Sequence, residues 1–208
     1  MQEYMRNNTG SGTIYFKEYI KMFVHTLMIY SGTYGGDTLF VILNSIDANI
    51  FLQIINNIFI DNISIIIENS LKYELRNIII GAINALVLPS INSDIATWKK
   101  LFANILLLIK TYNNSSNSNA RINSHAEDGN LEVEYDGGAY CKLSYLKSCQ
   151  PVVNQSDDVI VIFSKNMQNI CNLAPGKYPG IIMEAVASNS ELYALFDTIV
   201  KSNNIRIF

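Results

Sequence analysis

Residue types able to do chemistry are few and scattered. The segment Ser31-Gly32-Thr33-Tyr34-Gly35-Gly36-Asp37 is glycine-rich, and glycines let backbone amides close on a phosphate. No Gly-Lys-Ser/Thr ending follows it, and no Gly-x-Gly-x-x-Gly succeeds a strand. It reads as a tight connection after a helix. Histidine occurs only at His25 and His125, and cysteine only at Cys141, Cys149 and Cys171. A Cys–His pair can supply a nucleophile and its base, but no spacing here joins the two types. Three cysteines describe no disulfide framework and match no zinc spacing. They read as small buried hydrophobes, and whether Cys141 and Cys149 pair stays open. The acids Glu127, Asp128, Glu132, Glu134 and Asp136 could gather around a hard cation. Glu132 and Glu134 alternate with apolar neighbours, which makes them the solvated face of a strand. No Gly-x-Ser-x-Gly elbow and no His-Glu-x-x-His helix occurs. No catalytic, cofactor-binding or metal-binding residue is therefore assigned, and no cofactor is expected.

Hydrophobic spacing outlines the elements that would position any site. Phe16, Tyr19, Ile20, Phe23, Val24, Leu27 and Tyr30 recur at helical spacing and predict a helix over Thr13 to Tyr30, stopped by Ser31-Gly32 and Gly35-Gly36. Thr38 to Leu43 is short and apolar and fits a buried strand or a helix start. Asp47 is placed to cap a helix with Ile50, Ile54, Ile55, Ile58 and Phe59 inward. Ile63 to Ile67 is β-branched and predicts a strand. Leu71, Leu75, Ile78, Ile79, Ala82, Ile83 and Leu86 form a strong helical stripe after Ser70 and before Pro89. A second stripe, Trp98 to Tyr112, starts behind Ser93 or Asp94. The short link between the two stripes predicts an antiparallel helical hairpin.

Residues 113–130 are Asn/Ser-rich and read as a mobile loop. Beyond it the pattern turns to strands. Leu131 to Leu146 predicts a β-hairpin, with a three-residue loop (Asp136 to Gly138) that keeps Val133 and Cys141 on one face. Val159 to Phe163 and Ile181 to Val186 are strand candidates. Ser188 to Lys201 is a closing helix with Leu192, Leu195, Phe196 and Ile199 inward, and Ile205 to Phe208 could add an edge strand. The expected fold is α+β: one domain over 1–208, with a helix-rich part (13–112), the loop (113–130) and a strand-rich part (131–208). Amphipathic helices would pack on a mostly antiparallel sheet.

The chain has 208 residues, 49% of them hydrophobic and only 16% charged. That suits a large core, a self-associating surface or contact with lipid. A net charge of -3 with scattered Lys and Arg argues against a nucleic-acid partner. The greasiest stretch, Leu39 to Ile67, is broken by Asn44, Asp47, Asn56, Asn57, Asp61 and Asn62, which argues against a membrane span. No charged n-region with an apolar core opens the chain. The expected location is the cytoplasm, or outside the cell by a route without a cleaved signal peptide.

In element order, amphipathic helical hairpins before a strand-rich half, the chain resembles the cytolytic crystal endotoxins of insect-pathogenic bacilli. That resemblance implies a membrane-damaging protein. It carries no motif, so no residue inherits a role from it.

The leading expectation is a non-enzymatic protein that acts through its surface, by self-assembly or by binding another protein. The alternative is a membrane-active, pore-forming toxin or virulence factor, whose helices between Asn49 and Leu88 would leave the core for lipid. The third is an enzyme with a dispersed site.

Overall fold

The computed structural model describes residues 11–114, 158–187 and 189–203, and side chains from residue 16 onward. Ten α-helices and one π-helical stretch follow one another there: α1 (Ser11–Tyr34), α2 (Gly36–Ile46), α3 (Ile50–Gln53), the π stretch (Ile54–Ile60), α4 (Ile63–Asn69), α5 (Lys72–Leu86), α6 (Pro89–Ser93), α7 (Ile95–Asn114), α8 (Val159–Leu173), α9 (Tyr178–Val186) and α10 (Ser190–Ser202). No strand forms among the described residues. The expected α+β architecture is therefore corrected to a helical one. Ile63 to Ile67, Val159 to Phe163 and Ile181 to Val186, read as strands, are helices, as is Thr38 to Leu43. The predicted hairpin 131–146 and the edge strand 205–208 lie outside the described residues, as does nearly all of the predicted loop 113–130.

Val159 to Phe163 shows why the short β-branched runs are helical. Asp158 holds extended backbone and its side chain accepts from Ile160 N–H, which is an N-cap. Behind it Val159, Phe163, Met167 and Ile170 are buried, three and four residues apart. That spacing belongs to a helix. Asn189 caps α10 in the same way, accepting from Glu191 and Leu192. Asp94 caps α7 through Ala96 and Thr97. Asp47, expected to cap a helix, instead closes α2 in extended backbone, and Asn49 before α3 takes the left-handed conformation that Asn tolerates.

The stripes predicted for α5 and α7 are buried as expected, apart from Leu71, which is exposed, and Tyr112, which is half-buried. Lys72 at the start of α5 lies over the ring of Tyr112 near the end of α7, so the pair is the antiparallel hairpin, with α6 in its connection. α7 carries the C-terminal helices through an aromatic cluster. Trp98 stacks on Phe102 and contacts Tyr178 of α9, and Phe102 meets Phe163 of α8 and Phe196 of α10.

α5 is buried on almost every side, because α1 covers the face that α7 does not. Four contacts fix how α1 lies: Lys21 with Glu74, His25 with Asn77, Met28 with Gly81, and Ser31 with Asn84. Both partners advance together along the chain, so α1 and α5 run parallel. Their backbones nearly touch at Gly81, where a Cβ would stand 2.3 Å from Met28 O and 2.6 Å from Met28 Cα. Ser31, fully buried, donates from Oγ to Gly81 O at 3.0 Å, and Asn84 Nδ2 donates to Ser31 O at 2.9 Å. These bonds carry α1 through Ser31-Gly32, where a stop was expected. The break comes at Gly35, whose φ of 94° suits glycine alone.

Gly81→Ala should therefore cost about 3 kcal/mol, the upper end of the usual overpacking range, because backbone and not a flexible side chain must yield. Gly180→Ala in α9 meets nothing within 4 Å and should be neutral or stabilising by about 0.5 kcal/mol. Urea denaturation of both variants checks the contrast, and equal effects would refute the close crossing.

Candidate functional site

The structure places the sequence candidates apart. Gly36 of the glycine-rich segment is buried, and a Cβ there would stand 2.6 Å from Asn84 O. Its lack of a side chain serves helix packing and makes no phosphate cradle. His125, Cys141, Cys149 and the acids Glu127 to Asp136 lie outside the described residues. Cys171 is a free, buried thiol whose pKa is raised by desolvation, as expected of a small core residue. Among the described residues no group of His, Cys, Asp and Glu side chains could hold a metal ion.

His25 does gather polar neighbours, which no spacing in the sequence announced. It faces α5 across the helix crossing. Its Nε2 lies 3.5 Å from Asn77 Nδ2, and its ring meets Tyr73 edge-on. One turn away, Lys21 Nζ is 3.7 Å from Glu74 Oε2 and 3.2 Å from Glu18 Oε2. Glu74 is buried and accepts Leu71 N–H at 2.7 Å, so its carboxylate also closes the first turn of α5. Burial lowers the His25 pKa, with Glu74 pulling against it and Lys21 adding to the fall. The cluster brings a base and a carboxylate together, but both are occupied in holding α1 on α5. It is a polar seam between helices.

The outward surface is the other place where chemistry is exposed. On α2 Gly36 and Leu39 are buried, while Thr38, Val41, Ile42, Ser45 and Ile46 are exposed. Thr38 Oγ1 donates back to Tyr34 O and Ser45 Oγ to Ile42 O, so the hydroxyls are spent on the backbone. The face that remains is apolar. The helices over Asn49 to Leu88, suspected of leaving the core, are instead among its most buried parts: Phe51, Ile55, Phe59, Ile78, Ile79 and Ile83 are each at most 1% exposed. Among the described residues no single helix is long and apolar enough to cross a membrane. One bent pair, Gly36–Ile46 with Ile50–Ile60, passes on length and composition together, with a 108° bend between its arms.

The described part of the chain is a helical scaffold with a packed interior and large apolar side chains exposed on α1, α2 and α10. A family model described as "CAS/CSE protein, C-terminus" matches residues 9–195. The chain belongs to that family, a helical, importin-like family of protein-transport factors, and its role is accordingly of the protein-interacting kind. No curated protein and no solved structure matches the chain.

The depressed His25 pKa makes stability fall on acidification. The unfolded chain takes up the proton at about pH 6.5, while the folded chain resists it to lower pH, so stability is lost as pH drops from 6.5 toward the folded pKa. His25→Gln should flatten this slope between pH 7.5 and 5.5, read as urea midpoints. An unchanged slope would show that His25 is not burdened by its site.

Proposed function

We propose that the chain is a non-enzymatic scaffold that binds another protein on the outward faces of its helices, in the service of protein transport. The observation that carries this reading is the family match over residues 9–195. The packing supports it. α5 and its neighbours form a stiff interior, while Tyr19 and Met22 of α1, Val41 and Ile46 of α2 and Tyr193 of α10 stand exposed. Large apolar groups in the open favour contact with other proteins when they gather on one face. The family also supports action in the nucleus and cytoplasm.

The six large side chains named above for the Asn49 to Leu88 region lie in the core and not on the surface, and the family match carries no indication of membrane attack.

The test is cross-linking capture from cells, identification of the captured protein, and titration of that purified partner against the purified chain by calorimetry. Saturable binding at micromolar concentration or below is expected, with no dye release from liposomes. Leakage at low protein-to-lipid ratio, with no partner surviving the purified titration, would overturn the reading.

A further inference from the structure

We propose that the outward face of α2 is a docking site for a short partner segment that combines apolar anchors with Lys and Arg. The proposal rests on the protein-binding reading and names the place and the chemistry of the contact. Val41 is 64%, Ile42 43% and Ile46 71% exposed, and Tyr34 at the end of α1, also 64% exposed, packs its ring on Tyr30 just before the Gly35 break. Positions 38, 41, 42, 45 and 46 fall on one side of a helix. Thr38 and Ser45 turn their hydroxyl hydrogens back onto the backbone, so the large side chains on that side are apolar.

Charge identifies the occupant. From Met22 to Leu71 the chain has no Lys or Arg, and its acids are Asp37, Asp47, Asp61 and Glu68. Asp37 and Asp47 are exposed at the two ends of α2, so the apolar strip is framed by carboxylates. The basic residues of the neighbouring helices, Lys17 and Lys21 in α1 and Lys72 and Arg76 in α5, lie toward the N-terminal ends of those helices. α2 begins beside Asn84 and Ala85, eight or more residues further along α5 than Arg76, which is roughly 12 Å. At this Asp37 end of α2 the separation exceeds the Debye length of about 8 Å at physiological salt. The strip therefore presents an apolar surface with a carboxylate at each end, which favours cations over an anionic bilayer.

Size and symmetry exclude a second copy. The four side chains expose on the order of 400 Å², about half the share per partner in a stable interface, and two copies would set carboxylates against carboxylates. A single amphipathic helix, with anchors three and four residues apart, fits both the area and the spacing.

The probe is a fluorescein-labelled 18-residue helical peptide with leucines at i, i+3, i+4 and i+7 and lysines on either side, followed by anisotropy with the full chain. Saturable binding is expected that weakens at least tenfold between 50 and 300 mM salt. It should also weaken at least tenfold in Val41→Ser/Ile46→Ser and in Asp37→Lys/Asp47→Lys. All of these sites are exposed, and unchanged melting confirms the fold. A peptide with glutamates in place of the lysines should not bind, nor should vesicles containing phosphatidylserine. Binding that ignores either double variant, or vesicle binding lost in Val41→Ser/Ile46→Ser, overturns the proposal. So does slow alkylation of Val41→Cys in the protein alone, which would show the face covered by the chain itself. If the captured natural partner binds Val41→Ser/Ile46→Ser with undiminished affinity, the docking face is wrong while the protein-binding reading stands. If no purified partner binds at all, the reading itself has failed.

Discussion

The close parallel contact of α1 with α5 is the constraint on which the rest of the structure depends. Two helices can bring their backbones this near only where side chains are missing, and Gly81 supplies the gap against Met28. Once the helices meet there, Ser31 and Asn84 complete the contact with hydrogen bonds to backbone. Peptide groups buried at the crossing would otherwise lack part of their hydrogen bonding. Further along, Lys21, Glu74, His25 and Asn77 extend the same register with polar contacts. Parallel helices cannot be joined by a tight turn. The chain must return to the starting end between them, and α2, α3, the π stretch and α4 make that return. The exposed strip on α2 is a consequence: α2 begins where Gly36 packs on Asn84, and its far side is left facing outward.

The opposite flank of α5 is organised differently. α7 runs antiparallel to α5 and meets the C-terminal helices through stacked and edge-on rings around Trp98 and Phe102. Such pairs add about 0.5–1.5 kcal/mol each beyond their buried area. The ion pairs Lys99–Glu184 and Lys110–Glu191 also tie α7 to α9 and α10, but exposed pairs of this kind contribute little. One apolar cluster runs from Ile20 in α1 to Ile199 in α10, so both flanks belong to one core.

Much of the helical part was legible in the sequence. The stripes of α5, α7 and α10 are long enough for a period of 3.6 to declare itself. In α1 the helix was legible but its buried face was not: of the expected stripe only Ile20 and Val24 are buried, Tyr19 is exposed, and Met28 and Ser31 are buried instead. The short runs were not legible. Ile63 to Ile67 and Ile181 to Val186 are apolar on consecutive positions, and a run of five or six apolar residues has no period to read. β-Branched residues then favour a strand on propensity alone, and burial between helices overrides that preference. Val159 to Phe163 held a readable signal, the cap at Asp158 with apolar residues continuing at Met167 and Ile170. Stopping at Phe163 hid it. The toxin-like element order depended on these strands and goes with them. The site was less legible than the fold. The gathering of polar groups around His25 arises from neighbours supplied by the crossing, and no local spacing announces a parallel contact between residues some fifty positions apart.

The most direct measurement is the nuclear Overhauser contact between the Hα protons of Gly81 and Met28 in the labelled protein. The account predicts a strong cross-peak, because a Cβ at Gly81 would stand 2.6 Å from Met28 Cα, so one Gly81 Hα points at that carbon. A missing cross-peak, with Gly81 Hα instead reporting side-chain neighbours at ordinary helix spacing, would contradict the parallel register and the placement of α2 that follows from it.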